Sequence, residues 1–105
     1  MAGYTIERKE GQCSVVLGGD LTAVLIPDLQ AALKDNLAQG ANEVVFDLGK
    51  AVILDSSGIG LLIATCNSLG QKKGKIRVLN VSTDILRLLQ SMRLVSRLNV
   101  SGHEG

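Results

Sequence analysis

The sequence predicts an α/β domain, with a single mixed β-sheet of four to five strands and about three helices packed against it. The chain has 105 residues, the size of one domain. Hydrophobic residues make up 46% of it and charged residues 20%, as in a globular protein. The patterned segments follow the order β-β-α-β-α-β-α, in which helices between the later strands imply parallel pairing. We expect one domain over residues 1–105, with its core at about 4–100 and a flexible tail at 101–105.

The start of the chain predicts a β-hairpin. Tyr4–Arg8 alternates weakly, Cys13–Leu17 is apolar, and Glu10-Gly11 between them suits a tight turn.

The first helix is predicted after this hairpin, with Pro27 and Asp28 in its first turn. Gly40 is the expected stop. The apolar face of the helix consists of Leu29, Ala32, Leu33 and Leu37.

Two more strands and a second helix follow. Glu43–Leu48 is short and β-branched, which predicts an interior strand covered on both faces. The second helix is expected from about Ser57 to Leu69, and the next strand at Lys75–Leu79. A short last strand is expected near Leu98–Val100.

The third helix is predicted to begin at a cap formed by Ser82 or Thr83. Its predicted buried stripe consists of Ile85, Leu88, Leu89 and Met92.

Composition excludes several function classes. Eleven Lys and Arg against ten Asp and Glu leave a net charge of +1, so no strong field recruits nucleic acid or an anionic membrane. Tyr4 and Phe46 are too few aromatic residues for stacking platforms. No apolar stretch reaches the roughly 20 residues of a membrane span. Cys13 and Cys66 lie far apart, each in an apolar run, and the polar start of the chain does not resemble a signal peptide, so we expect two reduced, buried cysteines in a cytoplasmic protein, with a disulfide or redox pair as the alternative. These two cysteines and His103 are too isolated for a zinc site, and we expect no metal and no cofactor.

Enzyme motifs are incomplete. The basic stretch 70–75 resembles a phosphate-binding loop, but it has one residue too few between its glycines, and Ile76 stands where Ser or Thr would hold magnesium. Gly58 and Gly60 lack the third glycine of a dinucleotide fingerprint. Asp55 occupies the position at which a nucleophile elbow around Ser57 would have glycine. We therefore predict no catalytic residues.

One short motif remains, Asp55-Ser-Ser-Gly-Ile-Gly60. Its Asp and Ser side chains are typical caps for the second helix. Two adjacent hydroxyls exceed what one cap requires, however, and the glycines leave them unshielded. A helix N-terminus also stabilises an added phosphate of about −1.5 to −2 charges. The residues alone leave two interpretations open, a structural cap and a phosphorylation switch.

This motif, preceded by Val45-Phe-Asp-Leu48 and Val52-Ile-Leu54, resembles that of the bacterial anti-sigma-factor antagonists, whose fold is the STAS domain. Gly19-Asp-Leu21 looks like the Gly-Glu-Leu that precedes the first helix in that family. Pro27–Leu33 and Val78–Ser82 are similar to the first helix and to the strand before the third. The resemblance extends over about residues 4–100.

In that family a serine kinase with a histidine-kinase-like ATPase fold, itself the anti-sigma factor, phosphorylates the hydroxyl residue before the glycine. The resemblance implies phosphorylation at Ser57, with Ser56 as the second choice. The unmodified antagonist would bind the kinase and release the sigma factor or another client, and a PP2C-type phosphatase would reset it. Asp55 would present the hydroxyl or cap the helix, the glycines would permit close approach, and Ile59 would supply apolar contact. The implied partner-binding residues are Asp55, Ser56, Ser57, Gly58, Ile59 and Gly60.

Two departures from the family concern partner choice. Thr22 stands where many members have Asp, and Arg93 stands where the third helix usually ends near a glycine. A second hypothesis keeps the fold but makes the chain a non-catalytic subunit of a transporter or signalling scaffold, with the same surface as a fixed interface. A third, a serine hydrolase, has only His103 in the expected tail as a histidine partner.

Overall fold

The structure, a computed structural model, describes residues 3–102. This part of the chain forms a five-stranded sheet and four helices. The strands are β1 (Tyr4–Lys9), β2 (Gln12–Leu17), β3 (Glu43–Asp47), β4 (Lys75–Val81) and β5 (Val100–Gly102). The helices are α1 (Ile26–Ala38), α2 (Ser56–Gly70), α3 (Thr83–Ser91) and α4 (Val95–Leu98). The predicted α/β class with one mixed sheet is confirmed, and the single-turn helix α4 was not predicted.

The order of the strands decides where the helices lie. The sheet order is β1-β2-β3-β4-β5, with β1 antiparallel to β2 and all other neighbours parallel. All crossovers move in the same direction, so right-handed connections place their helices on one face. Val44 and Phe46 on that face are buried, whereas Val45 on the other is half-buried between Ser14 and Arg77. The prediction that this strand is covered on both faces is therefore wrong.

The hairpin turn is confirmed. Lys9 pairs with Gln12, so Glu10 and Gly11 form a two-residue turn with positive φ angles of 52° and 87°. This conformation matches the twist of an antiparallel pair and favours glycine.

The core is aliphatic around a single aromatic ring, Phe46, which is fully buried. Cys13 is also buried, and burial raises the pKa of its thiol, which keeps the thiol protonated and unreactive. Cys66 is half-buried rather than buried, and both thiols are free, as predicted. On α1, Leu29 and Leu33 of the predicted face are fully or almost fully buried.

The apolar residues of α3 face differently from the prediction. Ile85 and Leu89 are buried, but Leu88 is 36% exposed and Met92 45% exposed. Leu86, on the other side of Ile85, is half-buried and packs against the core. The helix therefore turns the face between Ile85, Leu86 and Leu89 toward the sheet, which moves Leu88 and Met92 to its edge.

The end of α3 explains how the chain accommodates Arg93. Its φ angle is 59°, in the left-handed region. The N–H of Arg93 donates to the carbonyl of Gln90, and the N–H of Leu94 donates to that of Leu89. These two bonds form a Schellman ending, in which glycine usually holds the left-handed position. Here an arginine adopts the conformation that glycine favours.

The C-terminal elements shift the predicted boundaries. The last strand is Val100–Gly102 because α4 continues to Leu98. Residues 101 and 102 therefore belong to the sheet and not to a tail. The rest of the predicted tail, including His103, lies outside the described residues.

Candidate functional site

The first turn of α2 is capped by an aspartate. Asp55 has an extended conformation, with φ −89° and ψ −179°, and its Oδ1 accepts the N–H of Gly58 at 2.9 Å. The structural interpretation of the motif is thus correct for this residue. Because Asp55 supplies the cap, the cap does not require either serine hydroxyl.

Both serines of the motif reach solvent. Ser56, the first residue of α2, is exposed, and Ser57, the second, is half-buried. Neither residue belongs to the buried core, and Ser56 is the more exposed of the two. Apart from the capping carboxylate of Asp55, no acidic residue lies in the first turn of α2.

The two glycines of the motif have different surroundings. A Cβ atom on Gly58 would lie 2.6 Å from the carbonyl oxygen of Leu21 and 2.8 Å from Cδ1 of Leu54. Gly58 is therefore needed for packing inside the chain. A Cβ atom on Gly60 would have nothing within 4 Å, and Gly60 is exposed. Only Gly60 offers open surface to a partner.

The apolar contact expected from the motif lies elsewhere. Ile59 is only 7% exposed and belongs to the core, so its side chain faces inward. The exposed apolar side chains near the motif are those of Val24, Val52 and Ile53, which are 92%, 73% and 54% exposed. We call these three the apolar loop residues.

The apolar loop residues lie on two loops that leave the carboxyl ends of neighbouring parallel strands. These are the β2–α1 loop, residues 18–25, and the β3–α2 loop, residues 48–55. The backbones of the loops pair around Leu21 and Leu54. The N–H of Leu21 donates to the carbonyl of Ile53 at 3.1 Å, and that of Asp55 donates to the carbonyl of Leu21 at 3.4 Å.

Two aspartates hold the loops together, one from each loop. In the β2–α1 loop, Oδ1 of Asp20 accepts the N–H groups of Val52 at 2.7 Å and Ile53 at 2.9 Å. These backbone hydrogen bonds, from Ile53 and Val52, lower the pKa of the Asp20 carboxyl. In the β3–α2 loop, Oδ2 of Asp55 accepts the N–H of Ala23 at 3.0 Å. Each aspartate therefore binds the backbone of the other loop.

Sequence reasoning missed the apolar loop residues and the role of Asp20. Each loop carried a signal, Gly19-Asp-Leu21 in one and Val52-Ile-Leu54 in the other, but these triplets suggested only a family resemblance. Thr22, one of the two departures from the family, is half-buried in the same loop, next to Ala23. That departure therefore falls inside the site.

The basic stretch 70–75 has a structural role. Nζ of Lys72 donates to the carbonyl oxygens of Leu37 at 2.9 Å and Ala41 at 3.0 Å, at the end of α1. A Cβ atom on Gly74 would lie 2.4 Å from the carbonyl oxygen of Asn42, so this glycine serves a close backbone contact. Among residues 3–102, no group of three or more His, Cys, Asp or Glu side chains is arranged to hold a metal ion. No helix in that range is long and apolar enough to cross a membrane.

A model of the STAS domain family matches residues 4–105. The chain belongs to the STAS domain family. The relatives of this STAS domain include the anti-sigma-B factor antagonist of Staphylococcus epidermidis, which is 30% identical over 83% of this chain and 81% of the relative. The resemblance to anti-sigma-factor antagonists is thus confirmed.

Solved structures share the fold of this STAS domain. SpoIIAA, described as an anti-sigma factor antagonist in its unphosphorylated form, has a TM-score of 0.74 at 20% identity, covering 91% of this chain and 97% of the other. The Bacillus cell fate determinant SpoIIAA in its phosphorylated form has a TM-score of 0.78 at 21% identity, covering 96% and 93%. These similarities show that the sheet and helices of residues 3–102 form a known arrangement.

Proposed function

We propose that this STAS domain is an anti-sigma-factor antagonist that is switched by phosphorylation of Ser57. In its unphosphorylated form it binds a serine-protein kinase that is also the anti-sigma factor, and the sigma factor or another client is released. The Staphylococcus relative and SpoIIAA, both named as antagonists, support this role. The observation that carries the proposal is the start of α2, where Asp55 supplies the cap and two serines outside the buried core follow it.

The local chemistry favours a modification that the fold tolerates. The kinase transfers the γ-phosphoryl group of ATP to Oγ of Ser57, and ADP and the hydroxyl proton are released. The new group carries about −1.5 to −2 charges, which the N-terminal amides of a helix stabilise. The Asp55 carboxylate caps the helix at Gly58, and no further acidic residue lies in the first turn of α2.

The same group weakens the complex for two physical reasons. A kinase bound over Ser57 also covers the apolar loop residues, which lose contact with water on binding. A dianion in such an interface costs desolvation and repels like charges of the partner. A PP2C-type phosphatase then removes the phosphate and restores binding. The chain itself acts as a non-catalytic regulator.

Phosphorylation with a purified kinase of the histidine-kinase-like class tests the proposal. With ATP, the wild-type chain should gain one phosphate by intact mass, and peptide mapping should place it on Ser57. Ser57→Ala should abolish the gain, and Ser56→Ala should retain it. A phosphate on Ser56 alone would support the switch but move its site by one residue.

Calorimetry tests the effect on binding with a matched pair. Ser57→Asp should weaken kinase binding at least tenfold relative to Ser57→Asn, which has a similar shape without the charge. Ser68→Asp, an exposed serine in the last two turns of α2, controls for charge alone and should bind like wild type. Equal affinities of Ser57→Asp and Ser57→Asn would contradict the switch and favour the alternative of a fixed interface in a transporter or scaffold.

A further inference from the structure

Val52 and Ile53 lie exposed in a segment whose side chains do little to hold it in place. They are 73% and 54% exposed, so burial fixes neither of them. Exposed apolar side chains next to each other are typical of surfaces that bind another protein. The position of this pair must therefore be set by its backbone.

The backbone of this pair is held from the other loop. Oδ1 of Asp20 accepts both N–H groups, at 2.7 Å and 2.9 Å, and the carbonyl of Ile53 accepts the N–H of Leu21 at 3.1 Å. Three backbone polar groups of the segment are thus bound to residues 20 and 21. Asp20 is exposed and no part of the core, so its carboxylate is not needed to fill space.

We propose that Asp20 is a positioning residue, whose carboxylate fixes Val52 and Ile53 as an apolar docking surface for the kinase that phosphorylates Ser57. This inference rests on the proposed function. The kinase is the occupant because the surface is continuous with the phosphorylation site. Ile53 is followed by Leu54, Asp55 and α2, and Leu21 joins the backbones of Ile53 and Asp55 by hydrogen bonds of 3.1 and 3.4 Å, so the segment lies beside the start of α2.

Asp55 binds the backbone of the β2–α1 loop in a similar way. It binds the N–H of Ala23, next to Val24, which is 92% exposed. Asp55 also caps α2, so its replacement disturbs the helix and the loop together. Asp20 makes no such second contact within residues 3–102, which makes it the cleaner position to test.

The first measurement concerns the segment and needs no partner. In Asp20→Ala, hydrogen exchange of the Val52 and Ile53 amides should accelerate at least tenfold, while the amide of Ile59 inside α2 should be unchanged. Asp20→Asn retains an acceptor oxygen and should keep most of the protection. Asp84→Asn removes a charge from an exposed aspartate on α3 and should have no effect on these amides.

The second measurement uses the kinase from the phosphorylation assay. In Asp20→Ala, KM for the STAS domain should rise about tenfold with kcat within twofold of wild type, because docking is weakened while the serine and the chemistry are intact. Asp20→Asn should restore KM, and Val52→Ser with Ile53→Ser should reproduce the defect. A merely structural role would not separate KM from kcat in this way.

The outcomes separate the two proposals. Unchanged exchange in Asp20→Ala overturns the positioning role whatever the kinase does. Faster exchange with an unchanged KM overturns the docking surface but leaves phosphorylation of Ser57 standing. If the wild-type chain accepts no phosphate, the proposed function fails and the docking inference fails with it.

Discussion

The helices α2 and α3 both begin at a capping side chain, but a carboxylate makes the cap of α2 and a hydroxyl makes that of α3. At α3, the hydroxyl of Ser82 accepts the N–H of Ile85 at 3.2 Å, and Asp84 adds a carboxylate to the first turn. At α2, Asp55 makes the cap and no acidic residue follows in the first turn. The serine of α3 is used by the fold, whereas the two serines of α2 are left available. The comparison shows which helix start uses a serine hydroxyl to bind a free amide and which does not.

The largest expected effect is at Gly58. Gly58→Ala places a Cβ atom 2.6 Å from the carbonyl of Leu21, which no side-chain rotation relieves. We expect the free energy of unfolding to fall by about 2 kcal/mol, as for overpacked sites. Urea unfolding followed by circular dichroism measures it, since the chain has no Trp. An unchanged midpoint would mean that α2 does not pack on the β2–α1 loop as described.

Removal of the capping side chains should cause the next largest loss of stability. Ser82→Ala should lower the free energy of unfolding by about 1 kcal/mol because it removes the cap of α3. Asp55→Ala should cost at least as much, since it also frees the N–H of Ala23. Ser57→Ala should change stability by less than about 0.5 kcal/mol, as for other surface positions. Urea unfolding of all three variants measures these losses of unfolding free energy. If Ser57→Ala lost as much stability as Ser82→Ala, the contrast between the two helices would be wrong.

Substitution of Gly60 should have a smaller effect on stability, and it should stabilise the chain rather than destabilise it. A Cβ atom there meets nothing within 4 Å, so Gly60→Ala should gain only helix propensity and raise stability by about 0.5–1 kcal/mol. Differential scanning calorimetry measures the rise in Tm. A lower Tm for Gly60→Ala would mean that other atoms occupy the space beside Gly60 and clash with the added methyl group.

The smallest effect is the titration of Asp20. Its pKa is lowered in the folded chain by the Ile53 and Val52 amides, so the stabilisation is present above the ordinary value of about 3.9 and is lost as pH falls through the folded value. Carboxyl carbon NMR should give a midpoint below 3.9, with the Val52 and Ile53 amide shifts moving in step. A midpoint at or above 3.9 would mean that the carboxylate does not hold the two amides.

Local patterns predicted much of the fold. The face of α1, the turn at Glu10-Gly11 and the start of α2 depend on neighbours within a few residues, and the structure agrees with each. The stripe of α3 was only half correct because Leu86 and Leu88 are equally apolar. Helical spacing alone does not decide which of them faces the sheet.

The candidate site was predicted in part for a similar reason. The motif at residues 55–60 identifies two serines at a helix start, because caps and glycines are local signals. It does not reveal that Ile59 is buried, nor that Asp20 binds the amides of Val52 and Ile53 from 32 and 33 positions away.

The amino-acid sequence by itself determined the α/β class, the order of the principal elements and the serine motif, since periodicity, turn residues and caps act over short distances along the chain. Only the tertiary structure decided that all crossover helices cover one face, that Gly58 serves internal packing and that Gly60 stays open. It also decided that the exposed apolar side chains come from two loops held by Asp20 and Asp55. The physical reason is that parallel pairing brings the ends of β2 and β3 together, so residues far apart in the chain share hydrogen bonds that no local pattern encodes.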